Sequence, residues 1–159
     1  MTRRRAAALA RRGVVRRGLV AGLLALTLCA LPARAESAAR FRTLAVWLDA
    51  GSEPLAAYQI EIRASDGATI VGVEGGATAA FAAPPHYDPA ALQSGRIILA
   101  TFTTAAHVPR GRTRVATLHV REAAGSAPTY RAEVVAAATP DGRRIPVTVE
   151  LLAQQGDPA

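Results

Sequence analysis

The segment "LAAYQIEIR", residues 55–63, constrains the fold more tightly than any other part of the chain. Tyr58, Ile60 and Ile62 alternate with Gln59, Glu61 and Arg63. A period of two gathers the three apolar side chains on one face of a strand, whereas a helix would scatter them around its circumference. The segment therefore predicts a strand with one face on a core and the other toward water. Its neighbours read the same way. In "TLAVWL", Leu44, Val46 and Leu48 share a face while Ala45 and Trp47 take the other. "DAGSEP" breaks the chain, and "SDG" supplies a turn with a glycine free to adopt positive φ, after which "ATIVGVEGG" is a third strand.

Four more strands follow: "GRIILATF" (95–102), "RTRVATLHV" (112–120), "TYRAEVVAAAT" (129–139, with Tyr130, Ala132 and Val134 together) and "RIPVTVELL" (144–152). Pro146 has no N–H to give a ladder, so the last strand is expected to have one unpaired edge. Seven to nine short strands at this spacing predict an all-β, antiparallel β-sandwich, with a small closed barrel as the competing architecture. Neither an internal repeat nor a linker calls for a second domain.

Residues 1–35 read as a signal peptide. Arg3, Arg4, Arg5, Arg11, Arg12, Arg16 and Arg17 precede the apolar run "GLVAGLLALTLCALP", which ends in "ARA" at Ala33–Ala35. Basic region, apolar core and small residues form the three-part pattern of a secretory leader, and the core is shorter than the ~20 residues of a spanning helix. Cleavage near Ala35 gives a periplasmic or secreted protein; the competing reading is a leader retained as an anchor. Leu28 before Cys29 argues against lipidation.

The leader holds eight of the nineteen basic residues and none of the twelve acids, so the formal charge of +7 belongs to export. The remaining roughly 120 residues are near neutrality, which removes the electrostatic case for a nucleic-acid or anionic-membrane partner. Cys29, the single cysteine, also lies in the leader, so the exported part is expected to be held by its core without disulfides. It divides into a lead-in at 36–40, the sandwich at 41–152 and a disordered tail at 153–159.

The succession "VWLDAGSEPLAAYQIEI", "GRIILATFT" and "GRTRVATLHV" resembles the cohesin-like domains of bacterial secreted proteins. Tyr58, Gln59, Ile60 and Ile62 fall where those domains have an aromatic-Gln-aliphatic strand. Gly95, Ile97 and Ile98 match a later glycine-aliphatic strand, and Gly111, Val115, Leu118 and Val120 the one after. The likeness spans most of 41–152 and implies a jelly-roll sandwich related to carbohydrate-binding modules. One departure is clear: "YDPAAL" stands at 87–92, far beyond the second strand that such a segment usually continues. No duplicated calcium loop of dockerin type occurs in the chain.

The longest irregular segment, 77–94, carries Phe81, Pro84, Pro85, His86, Tyr87 and Asp88. Rigid aromatic and proline side chains suit a recognition loop. The same residues suit a loop that folds back and plugs the sandwich with Phe81 and Tyr87. "DPAAL" predicts one helical turn, capped by Asp88 with Pro89 first. Trp47 faces away from Leu44, Val46 and Leu48, so it either offers a ring for sugar stacking or is covered by a neighbour. His86, His107 and His119 lie too far apart in sequence for a zinc motif. Asp49, Glu53, Asp88 and Asp141 lie in or beside turns and carry the oxygens calcium takes, without the spacing of a calcium loop. Serines 52, 65, 94 and 126 stand outside any nucleophile elbow.

The chain is thus expected to be a non-catalytic interaction module without a cofactor. Its binding residues are Trp47, Phe81, His86, Tyr87 and Asp88, and its partner is another exported protein. The alternative is a polysaccharide-binding module using Trp47 or Tyr87.

Overall fold

The alternating segments of the sequence fold as strands. The computed structural model describes residues 38–154; the signal peptide expected at 1–35 and the residues after 154 lie outside them. Seven strands form: β1 (Arg40–Asp49), β2 (Ala57–Ala64), β3 (Ala68–Gly75), β4 (Arg96–Phe102), β5 (Arg112–Glu122), β6 (Tyr130–Ala138) and β7 (Thr148–Gln154). Two single 3-10 turns, Ala79–Phe81 and Pro89–Ala91, interrupt the segment between β3 and β4. None of the described helices is long and apolar enough to cross a membrane.

The strands form two antiparallel sheets, a four-stranded one in the order β3-β5-β1-β7 and a three-stranded one in the order β4-β2-β6. Two separate sheets make this a sandwich and not a closed barrel. Odd-numbered strands occupy one sheet and even-numbered strands the other. Every connection therefore crosses between the layers, and no two consecutive strands are ladder partners.

The inward faces meet in one apolar core. Leu44, Val46 and Leu48 from β1, Tyr58, Ile60 and Ile62 from β2, Ile97 and Leu99 from β4, and Val115, Leu118 and Val120 from β5 are all buried there. Tyr58 brings a hydroxyl inside and donates it to the Val115 carbonyl at 3.2 Å. Burial pushes its pKa well above the ordinary tyrosine value. A bulge between Val46 and Trp47, opposite Ala116 and Arg114, lets both Val115 and Ala116 lie buried on β5.

Three boundaries differ from the sequence expectation. β7 begins at Thr148, not Arg144, because residues 143–145 turn back along β6: Thr139 N–H bonds to the Arg143 carbonyl at 3.0 Å and Ile145 N–H to the Ala137 carbonyl at 3.1 Å. Pro146 thus lies ahead of β7, although β7 is an edge strand as expected. Ala153 and Gln154 belong to β7, where they pair with Leu44 and Thr43, and not to a disordered tail. Arg40 belongs to β1 and not to a lead-in, since it pairs with Glu122.

At the end of β3 the chain passes so close to its neighbours that side chains are excluded. A Cβ on Gly75 would overlap the Ala82 carbonyl, and one on Gly76 the Arg114 carbonyl. Both obstacles are backbone and cannot swing aside. Gly75→Ala is expected to cost about 1–3 kcal/mol or more in urea denaturation, the range for overpacking a filled site.

Candidate functional site

The segment from 77 to 95 is a strap over the side of the sandwich where β3 and β4 lie. Gly76 N–H bonds to the Phe81 carbonyl at 2.6 Å, which closes the first turn. Phe81 drops into the core at 2% exposure and meets the Tyr58 ring edge-on, 5.4 Å between centroids. Pro85 is buried beside it in sequence. His86 then exchanges backbone hydrogen bonds with Ala100 of β4, at 2.8 and 2.9 Å. Asp88 accepts from Ala90 N–H at 2.9 Å, with Pro89 at the first position, which is the capped turn that "DPAAL" predicts. The strap ends by pairing with β3: Gln93 N–H donates to the Ile70 carbonyl and Ile70 N–H to the Ser94 carbonyl, both at 2.8 Å.

This geometry divides the residues singled out in the sequence. Phe81 is a core plug, so its side chain offers no surface to a partner. Tyr87 is half-buried against the core. His86 and Asp88 remain exposed. Trp47 stands apart, in β1, with the whole of β5 between it and β3. It does face away from the core, but the Arg112 guanidinium lies 4.3 Å from its ring centroid. Arg112 is in turn held by Glu150 at 2.7 Å. A cation already occupies one face of the ring a sugar would need. His119 bonds to Glu74 at 2.9 Å, and among the described residues no three His, Cys, Asp or Glu side chains converge in a way that could hold a metal.

Two features escaped the sequence reading. The first is Glu122, buried at 1% exposure at the end of β5. Arg42 Nε reaches its Oε1 at 2.8 Å, Arg40 Nη2 its Oε2 at 3.2 Å, and the Tyr130 hydroxyl donates to Oε1 at 2.7 Å. These groups wall a cleft of about 370 Å³ together with Leu44, Pro128 and Leu151. Burial opposes ionisation of Glu122, but the Tyr130 hydroxyl and the Arg42 and Arg40 charges outweigh it and hold the carboxyl below its ordinary value. Burial, then Glu122 itself, pushes the Tyr130 pKa up. The arrangement ties β1, β5 and β6 together at one end of the sandwich. Parity was the available signal: Leu118, Val120 and Glu122 continue one alternation, as do Arg40, Arg42 and Leu44.

The second is the outer face of the β4-β2-β6 sheet. Across it run the rows Phe102–Ala57–Ala138 and Ala100–Gln59–Ala136. All six are uncharged, and all are alanine except Gln59 and Phe102, the latter 70% exposed. A shallow groove of about 230 Å³ lies over this alanine floor, edged by Arg144. Further along the same face Glu61 binds Arg96 at 2.7 Å and Arg63 at 2.5 Å. The hydrogen bond from Arg96 is the chief reason its carboxyl is held below the ordinary value. Phe41 is also exposed, but its partner across the β5 ladder is Arg121 and not an apolar residue.

No protein-family model, no curated protein and no solved structure matches this chain.

Proposed function

We propose that the protein is an exported, non-catalytic interaction module that grips another exported protein on the outer face of its three-stranded sheet. The observation that carries this reading is Phe102, a large ring left in water beside the floor formed by Ala57, Ala100, Ala136 and Ala138. An apolar centre with a charged border, here Glu61, Arg63 and Arg96, has the composition of a protein-binding patch. A flat floor of alanines lets a partner approach the backbone closely, and phenylalanine is among the aromatic residues enriched at the centre of protein interfaces. The resemblance of the strand sequence to cohesin-like domains supports the same class of activity. The basic, apolar and small-residue pattern of residues 1–35 supports export.

The test is affinity capture from the envelope fraction with immobilised protein, comparing Phe102→Arg with the unchanged chain. Loss of the captured partner by at least about tenfold is expected, with the far-UV spectrum unchanged, since the side chain is exposed and its removal leaves no cavity. Capture that survives Phe102→Arg at full strength would refute this face as the docking surface.

A further inference from the structure

Two sheets have four edges, and the chain closes three of them with its own backbone. β3 is paired at Ile70 by Gln93 and Ser94, and β4 at Ala100 by His86. β6 is paired at Ala137 and Thr139 by residues 143–145, and Arg144 Nη2 adds a bond to the Val135 carbonyl at 3.0 Å. β7 differs. Among the described residues, no backbone group outside β1 pairs with any part of Thr148–Gln154.

A row of unpaired donors and acceptors is a template for another strand, and proteins that must avoid this blunt such edges with proline, bulges or charged side chains. β7 carries one of these devices, a single charge. It has no proline or glycine, its register against β1 is unbroken, and its one charge, Glu150, is held by Arg112.

We infer that β7 pairs with β7 of a second copy of this chain, antiparallel and about a twofold axis, joining two four-stranded sheets edge to edge. The register centred on Leu152 brings no like charges together and covers the exposed apolar side chain. There Leu152, 38% exposed on the outer face, lies opposite its own twin and is covered by it. Glu150 faces Gln154 of the second copy, an acid against an amide, and Leu151 faces Ala153 of the second copy. A register centred on Glu150 would set two carboxylates directly opposite, which is unfavourable. A surface that complements itself is what a twofold contact requires, and this singles out a second copy over an unrelated strand. The Phe102 face belongs to the other sheet and stays open, so this inference and the proposed function stand or fall separately.

The experiment is light scattering after size exclusion on the full chain, from about 5 to 500 µM, beside Leu152→Lys and Leu152→Cys. The unchanged chain is expected to pass from the mass of one chain to that of two. Leu152→Lys, folded by circular dichroism, should weaken association at least about tenfold, because a cation then faces a cation across the twofold. Mild oxidation of Leu152→Cys should yield a peptide disulfide-linked between two copies of residue 152, identified by mass spectrometry. A single-chain mass throughout the range overturns the inference. So does a dimer that is unchanged in Leu152→Lys and gives no 152–152 link.

Discussion

Phe81→Ala is expected to remove about 3–5 kcal/mol of unfolding free energy, the range for deleting a buried phenylalanine and leaving its cavity. The ring is almost wholly enclosed and packs edge-on against Tyr58, whose hydroxyl is anchored to Val115. Nothing nearby can collapse cheaply into the space, because β2 and β5 are both fixed by ladders on two sides. The loss should spread to the strap, whose contacts with β3 and β4 are few backbone pairs. Urea denaturation checks the magnitude, and amide exchange at Gly76 and His86 checks the spreading. Phe81→Leu, which keeps most of the volume, is expected to cost under about 1.5 kcal/mol. A cost below about 1 kcal/mol for the alanine variant would mean that the strap is held by something other than this plug.

Glu122→Ala is the second large effect, expected at about 2–3 kcal/mol. Removing one member of a buried ion pair commonly costs more, because the other charge is left stranded. Here Arg40 and Arg42 are 60% and 41% exposed, so water can take up their charge and the cost is correspondingly smaller. What cannot be recovered so easily is the Tyr130 hydroxyl, left without its acceptor in a half-buried position.

The same carboxylate sets part of the acid response. Its folded pKa lies below the unfolded value of about 4.5, so its contribution is complete above that pH. The contribution is lost as pH falls through the lower, folded value. In urea melts taken from about pH 7 downward, Glu122→Gln should start less stable and show a shallower decline below about pH 4.5. Glu61, held low first by Arg96, and Asp141, held low first by the Thr139 hydroxyl, supply the slope that remains. A variant that declines as steeply as the unchanged protein would remove Glu122 from this role.

The strands were legible because each has a wet face and a dry one, and the inward residues Tyr58, Ile60 and Ile62 are those the alternation marks. Their partners were not. Strand order depends on which pairs of faces close a common core, and nothing in the spelling of β1 says that β5 and β7 will flank it. The start of the last strand was not legible: Pro146 fits an edge and β7 is one, yet the backbone of 143–145 is used along β6 before β7 starts. The strap showed the limit of residue type. Phe81 and His86 have the composition of a recognition loop, but the chain spends the first on the core and the backbone of the second on β4. Phe102 was hidden because an exposed ring at a strand end looks, in sequence, like the next member of an apolar run.

The alternation of strands between layers has a kinetic consequence. With no two consecutive strands paired, the one local return is the short stretch 143–145 along β6, and every strand ladder must wait for a long loop to close. β1 is completed only when β7, the final strand, arrives beside it. Such high contact order places folding toward the slow end, of order milliseconds to seconds. A polypeptide emerging head first would hold one side of β1 unpaired until the last described strand had followed.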